Sequence, residues 1–220
     1  MKNLIYLLLV LFLFACRQKQ QPPLRKEMEE EKAKMKMADP TIKNLFDEVN
    51  VVKMHFFAIS DAMSQEVEYP YEGKPITADA AKFLGEGLRS GQKGSTYACY
   101  RTENSGHYIL RLPGEGTSGG HLVLAVWDAP SNQLVKVADL AHLTCNENTC
   151  HQQDAWLADL DDSRTLELII RKQTAGPSGQ LTDESFEVLT DDGTGHFKKA
   201  GEQLASLAVI DFYVMHGSAK

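Results

Sequence analysis

His121-Leu122-Val123-Leu124-Ala125-Val126-Trp127-Asp128-Ala129-Pro130-Ser131-Asn132-Gln133-Leu134-Val135-Lys136-Val137-Ala138-Asp139 carries the plainest folding signal of the chain. Two strand-forming runs, His121 to Asp128 and Gln133 to Asp139, flank Ala129-Pro130-Ser131-Asn132, whose Pro, Ser and Asn supply turn geometry. The pattern predicts a β-hairpin. Working outward, further runs with period two read as strands: Thr96 to Arg101, His107 to Leu112, Ala155 to Leu160, Thr165 to Arg171, Ser185 to Thr190, His196 to Lys199 and Val209 to Met215. Asn104-Ser105-Gly106 and Asp191-Asp192-Gly193 are turn sequences of the same kind. Consecutive hairpins imply an antiparallel meander. The strands fill only about two four-stranded propeller blades, where the smallest closed propeller needs about four, so a complete propeller does not fit.

Upstream of the meander the period changes. Asp39-Pro40 suits a helix start, Asp as the cap and Pro in the first turn. Ile42, Leu45, Phe46, Val49, Val52, Phe56, Ile59 and Met63 recur at steps of three and four, which predicts a helix with one buried face. His55 falls off that stripe and reads as a flank position. Tyr69-Pro70-Tyr71-Glu72-Gly73-Lys74-Pro75 interrupts the pattern, and Thr77 is predicted to cap a second helix through Ala80, Ala81, Leu84 and Leu88 that ends near Gly91. The expected fold class is therefore α+β, with N-terminal helices packed on a twisted antiparallel β-sheet.

Composition excludes several functions. The 220 residues carry 23 Lys plus Arg against 30 Asp plus Glu, a formal charge of -7, whereas a nucleic-acid binder needs a basic face. Four cysteines are too few for a disulfide-built miniprotein. The longest apolar run, Leu4 to Ala15, spans about 18 Å at about 1.5 Å per residue, which is a signal-peptide length rather than a membrane span. It ends Leu13-Phe14-Ala15-Cys16 and turns polar at Arg17-Gln18-Lys19-Gln20-Gln21.

This ending resembles the lipobox of bacterial lipoproteins, with Phe14 standing where that family usually carries a smaller residue. The resemblance implies a signal peptide over residues 1–15, acylation of Cys16 as the first mature residue, and a membrane partner reached through that N-terminal lipid. It places the domain outside the cytoplasm, on the bacterial cell envelope, in the periplasm or facing the exterior. Residues 16–39 then read as a lipidated cysteine and charged tether, with seven basic and five acidic side chains around Pro22-Pro23. Residues 40–220 form the expected single globular domain and hold 15 basic against 25 acidic residues.

Two constellations carry chemistry. In Cys145-Asn146-Glu147-Asn148-Thr149-Cys150, an exported chain and a short polar loop predict a local disulfide. His142 and His151 flank the pair and offer zinc chemistry, at a spacing that matches no recurrent zinc signature. Cys99, inside Tyr97-Ala98-Cys99-Tyr100, reads as a buried inert thiol, with a bridge to another cysteine left open. The second constellation is Ala158-Asp159-Leu160-Asp161-Asp162-Ser163-Arg164-Thr165-Leu166-Glu167-Leu168-Ile169-Ile170, where oxygen-bearing side chains alternate at Asp159, Asp161 and Ser163, followed by Glu167. Hard cations such as calcium want that set of ligands.

The second stretch resembles the strand-loop-strand element of FG-GAP/VCBS-type repeats, Asp-x-Asp-x-Asp-Gly-x-x-Asp followed by an apolar strand. The resemblance implies a hairpin and a calcium site at Asp159, Asp161, Ser163 and Glu167. Ser163 stands in for an acidic ligand and Arg164 for the turn glycine, and both changes weaken cation binding. No nucleophile elbow and no paired His on a helix is present in the sequence. The expected function is a lipid-anchored binding or interaction module of the envelope, with an envelope protein or a glycan as its partner. The alternatives are a periplasmic metal-dependent hydrolase using Asp159, Asp161 and Glu167 with His142 or His151, and a structural envelope lipoprotein.

Overall fold

Runs rich in Val, Ile, Leu and aromatic residues favour extended backbone, because branched and flat side chains pack well on a pleated surface. In the computed structural model, which describes residues 40–59, 69–89, 95–103, 105–113, 120–176 and 178–207, such runs form one mixed sheet of eleven strands. In chain order the elements are α1 (Pro40–Lys43), β1 (Asp47–Val49), β2 (Lys53–Phe56), β3 (Lys74–Pro75), α2 (Ala78–Ala81), β4 (Tyr97–Thr102), β5 (His107–Leu112) and β6 (His121–Asp128). They continue with β7 (Gln133–Cys145), β8 (Cys150–Ala158), β9 (Glu167–Ala175), β10 (Leu181–Asp191) and β11 (Phe197–Lys199), and residues 202–207 are helical. The signal peptide, Cys16, the tether, residues 60–63 of the first predicted helix, Gly91, Asn104 and the strand expected over Val209 to Met215 lie outside the described residues.

The sheet order is β1-β4-β5-β6-β7-β8-β9-β10-β11, with β2 added on β8 and β3 on β4. From β4 to β11 each strand pairs antiparallel with the next, and the turn sequences at Ala129 to Asn132 and Asp191 to Gly193 connect β6 to β7 and β10 to β11. β1 lies parallel to β4. β7 changes partners along its length: Gln133 to Ala141 pair with β6, and His142 to Cys145 pair with β8. Register shifts at Leu122/Val123 and Leu124/Ala125 mark the bend, as bulges do.

That bend makes one sheet face meet itself. Ile109, Leu122, Leu124 and Leu140 from the first half share a core with Ala155, Leu157, Leu168 and Ile170 from the second. The opposite face of the first half, with Tyr108, Leu110, Val123 and Ala125, is covered by Ile42, Phe46, Ile76, Phe83, Leu84 and Leu88. The opposite face of the second half buries Trp156, Ile169 and Val188 against Leu160, Ala200 and Ala205. Gly85 lets the covering segment touch the sheet, because a Cβ there would lie 2.7 Å from the Leu134 carbonyl oxygen, which accepts the Gly85 N–H at 2.8 Å.

The α+β expectation is overturned. Among the described residues no N-terminal helix layer packs on the sheet; α1 and α2 are four residues each, and the fold is mostly β. The first predicted helix fails because its stripe is not one surface. Ile42 and Phe46 enter the core on one side of the sheet, Phe56 and Ile59 enter the core on the other, and Val52 is 80% exposed. Asp47 to Val49 and Lys53 to Phe56 are strands instead, pairing β4 and β8. The Thr77 cap is real, its Oγ1 accepting from Ala80 N at 3.4 Å, but the helix stops at Ala81.

Polar side chains tie the halves together. Asp154, 1% exposed, accepts from Arg171 Nε at 2.9 Å and lies 3.1 Å from His55 Nε2, whose ring stacks on Trp156 at 4.4 Å. Burial would raise the Asp154 carboxyl, but the hydrogen bonds from His55 and Arg171 prevail and hold it below the usual range. His107 is completely buried, with Nδ1 2.7 Å from Ser105 Oγ and Nε2 3.0 Å from the Gly195 carbonyl oxygen. This joins the β4–β5 turn to the β10–β11 turn. Gly195 has φ 87° and a Cβ there would meet Val126 Cγ1 at 2.7 Å, so the turn closes only over glycine. The Cys145–Cys150 disulfide is formed, between directly opposed residues of the β7–β8 hairpin. Asn146 shapes its loop, Oδ1 accepting from Asn148 N at 2.9 Å and Thr149 N at 2.8 Å.

Two outcomes follow for stability. Burial lowers the His107 pKa below 6.5, outweighing the opposing pull of the Gly195 carbonyl and Asp191, while His196 adds to the lowering. The unfolded chain then binds more protons than the folded one, so this contribution is complete above pH 6.5 and is lost as pH falls through the folded value. Melting curves between pH 7.5 and pH 5 should show that decline, and His107→Gln, though less stable throughout, should show a shallower one. Replacing both Cys145 and Cys150 by Ser should cost about 2 kcal/mol in urea unfolding, the chain-entropy value for so short a loop; an unchanged midpoint would refute that contribution.

Candidate functional site

The loop between β8 and β9 is built by its own acidic side chains. Asp161 Oδ1 accepts from Ser163 N at 3.1 Å, Asp159 Oδ2 from Arg164 N at 2.8 Å, and Ser163 Oγ from Thr165 N at 3.2 Å. Asp162 and Arg164 take positive φ values of 58° and 68°, the conformation that the missing glycine would have adopted without strain. Glu167, the first residue of β9, reaches back: Oε2 accepts from Leu160 N at 2.9 Å and Oε1 from Thr190 Oγ1 at 3.1 Å.

The result is a convergence of three carboxylates. Asp159, Asp161 and Glu167 each offer an oxygen, and those atoms all lie within 4.8 Å of one another. Glu167 is 1% exposed, and Asp159 Oδ1 is buried with no hydrogen-bond partner. Burial, then the charges of Asp161 and Asp159, raise the Glu167 pKa against the lowering effect of Leu160 N and Thr190. An all-oxygen, multiply negative set with an unsatisfied buried oxygen fits a hard divalent cation such as calcium. Ser163 Oγ, by accepting from Thr165 N, also helps to shape the turn.

A second loop abuts the first. Asp191 N donates to the Leu166 carbonyl at 3.0 Å, and Asp191 Oδ1 accepts from Gly193 N at 2.7 Å and Gly195 N at 3.1 Å. The two loops therefore form one rim at the end of the second half of the sheet, linked through Glu167–Thr190 and Leu166–Asp191.

The other sequence candidates resolve differently. Because the sulfurs of Cys145 and Cys150 are bonded to each other, they supply no thiolate, and a zinc site made of those cysteines with His142 and His151 is ruled out. Cys99 is free and buried, its Sγ 3.5 Å from the Tyr71 carbonyl oxygen, and burial pushes the thiol up to about 12, which makes it inert. His55 is no mere flank position, since it binds an aspartate 99 residues away. His107 is a core latch, and His121 Nε2 lies 2.7 Å from Asp139 Oδ1. Residues paired across such separations leave no mark in any local pattern.

No protein-family model, curated protein or solved structure matches this chain.

Proposed function

We propose that the chain is a lipid-anchored binding module of the bacterial cell envelope whose β8–β9 loop holds a calcium ion. The observation that carries the calcium site is the convergence of Asp159, Asp161 and Glu167 within 4.8 Å around the unsatisfied Asp159 Oδ1. A cation placed there removes the mutual repulsion of the carboxylates and satisfies that oxygen. It pins the β8–β9 loop directly and the β10–β11 loop through the Glu167–Thr190 and Leu166–Asp191 bonds. The rim so fixed is the surface offered to a partner, an envelope protein or a glycan. Cys16 at the end of the apolar leader and the charged tether after it support the anchoring, and an excess of 25 acidic over 15 basic residues in 40–220 favours a basic or cation-bridged partner.

Calcium at 100 times its dissociation constant should stabilise the folded chain by about 2.7 kcal/mol. For a domain of this size that corresponds to a rise in Tm of roughly 5 to 10 °C, reversed by EDTA. Asp161→Asn should remove most of the rise while leaving the metal-free protein no less stable, because a like charge has gone. Identical melting curves in calcium and EDTA would refute the site. The anchor is checked separately by growing cells with labelled palmitate: the wild-type chain should take up label and Cys16→Ser should not, and equal labelling of both would refute acylation at that residue.

A further inference from the structure

At the corner where β7 leaves β6 for β8, the chain brings together side chains that the calcium reading does not use. Leu122 pairs with Ala141, so one step further along the antiparallel register His121 stands opposite His142. Their rings meet edge to face with centres 5.6 Å apart. Asp139, on β7, places Oδ1 2.7 Å from His121 Nε2, yet that nitrogen is buried and makes no directed hydrogen bond. His142 makes no side-chain hydrogen bond among the described residues. Gln153 Nε2 donates to the Asp139 backbone carbonyl at 2.7 Å and holds the strand beneath the carboxylate.

We propose that His121, His142 and Asp139 form a binding site for a borderline divalent transition-metal ion, represented by zinc. Zinc–nitrogen bonds of about 2.0–2.1 Å put the centres of two imidazoles on one tetrahedral ion about 5 Å apart, close to the separation seen here. Two imidazoles and a carboxylate leave an open position, and nitrogen donors select zinc or copper over calcium. His121 and Asp139 already lie in contact, and a turn of the His142 ring toward them would be needed to complete the set. Lys136 is the built-in competitor: its Nζ lies 2.8 and 3.0 Å from the two Asp139 oxygens. The pair is half-exposed, so the ammonium yields its place to a metal at small cost. The Cys145–Cys150 bond, three residues beyond His142, restrains the strand that presents it.

The site lies toward the opposite end of β8 from Asp159 and Glu167, and its fate is independent of theirs. The test is calorimetric titration of the full, untagged chain with zinc chloride, together with the visible spectrum of the cobalt-loaded protein. One zinc per chain is expected, with affinity lowered about tenfold or more in His121→Gln and in His142→Gln, and unchanged in Asp161→Asn. Lys136→Gln should bind zinc a few-fold more tightly, an effect that a purely structural histidine pair would not produce. The wild-type cobalt complex should show the intense bands of a four-coordinate site, a readout that does not depend on any variant folding. Absence of saturable zinc binding, affinity indifferent to both histidine substitutions, or affinity lost only in His151→Gln would each overturn the assignment.

Discussion

The central strand β6 is apolar on both of its faces, and the architecture follows from the need to cover both. Leu122 and Leu124 point to one side, Val123 and Ala125 to the other, and all four are completely buried. A strand of this kind cannot lie in a sheet with a wet face. One side is covered by the sheet's own second half, brought over by the partner change in β7; the other is covered by the segments around Phe46 and Leu84. Each fully buried Leu contributes about 2 kcal/mol. Straightening β7 would therefore expose the central core from both halves at once.

Three buried ionisable groups show how the fold handles charge. Asp154 is neutralised in place by Arg171 and His55. His107 avoids the problem by staying uncharged between Ser105 and Gly195. Glu167 has neither solution: its partners are a backbone N–H and a hydroxyl, and the nearest charges are the like charges of Asp161 and Asp159. A buried carboxylate surrounded by carboxylates is stable only as a protonated group or beside a cation. The first two groups are satisfied within the fold, whereas Glu167 is the one whose charge a cation would offset.

Local sequence carried the hairpins because turn chemistry and period two are local properties. β5 and β6 span the residues expected of them, His107 to Leu112 and His121 to Asp128, and the turns at Ala129 and Asp191 lie where Pro, Ser, Asn and Gly put them. The disulfide was legible for the same reason, since its partners are five residues apart. The acidic loop was legible as alternating oxygens, and Ser163 helps to shape its turn. The helix expected from Ile42 to Met63 was a false period. Spacing by three and four is also produced when strand and loop residues happen to face different cores, and Phe46 and Phe56 do so.

Residues within a few positions of one another encode β5, β6, the turns near Ala129 and Asp191, the cystine loop and the acidic loop. Long-range packing decided that β7 serves two partners, that His55 meets Asp154 and that His107 reaches Gly195. It also decided that His121 faces His142 beside Asp139. Those pairings are set by where a bent strand carries its neighbours, and the bend arises from covering both faces of β6, a balance of burial over the whole sheet that no short stretch encodes.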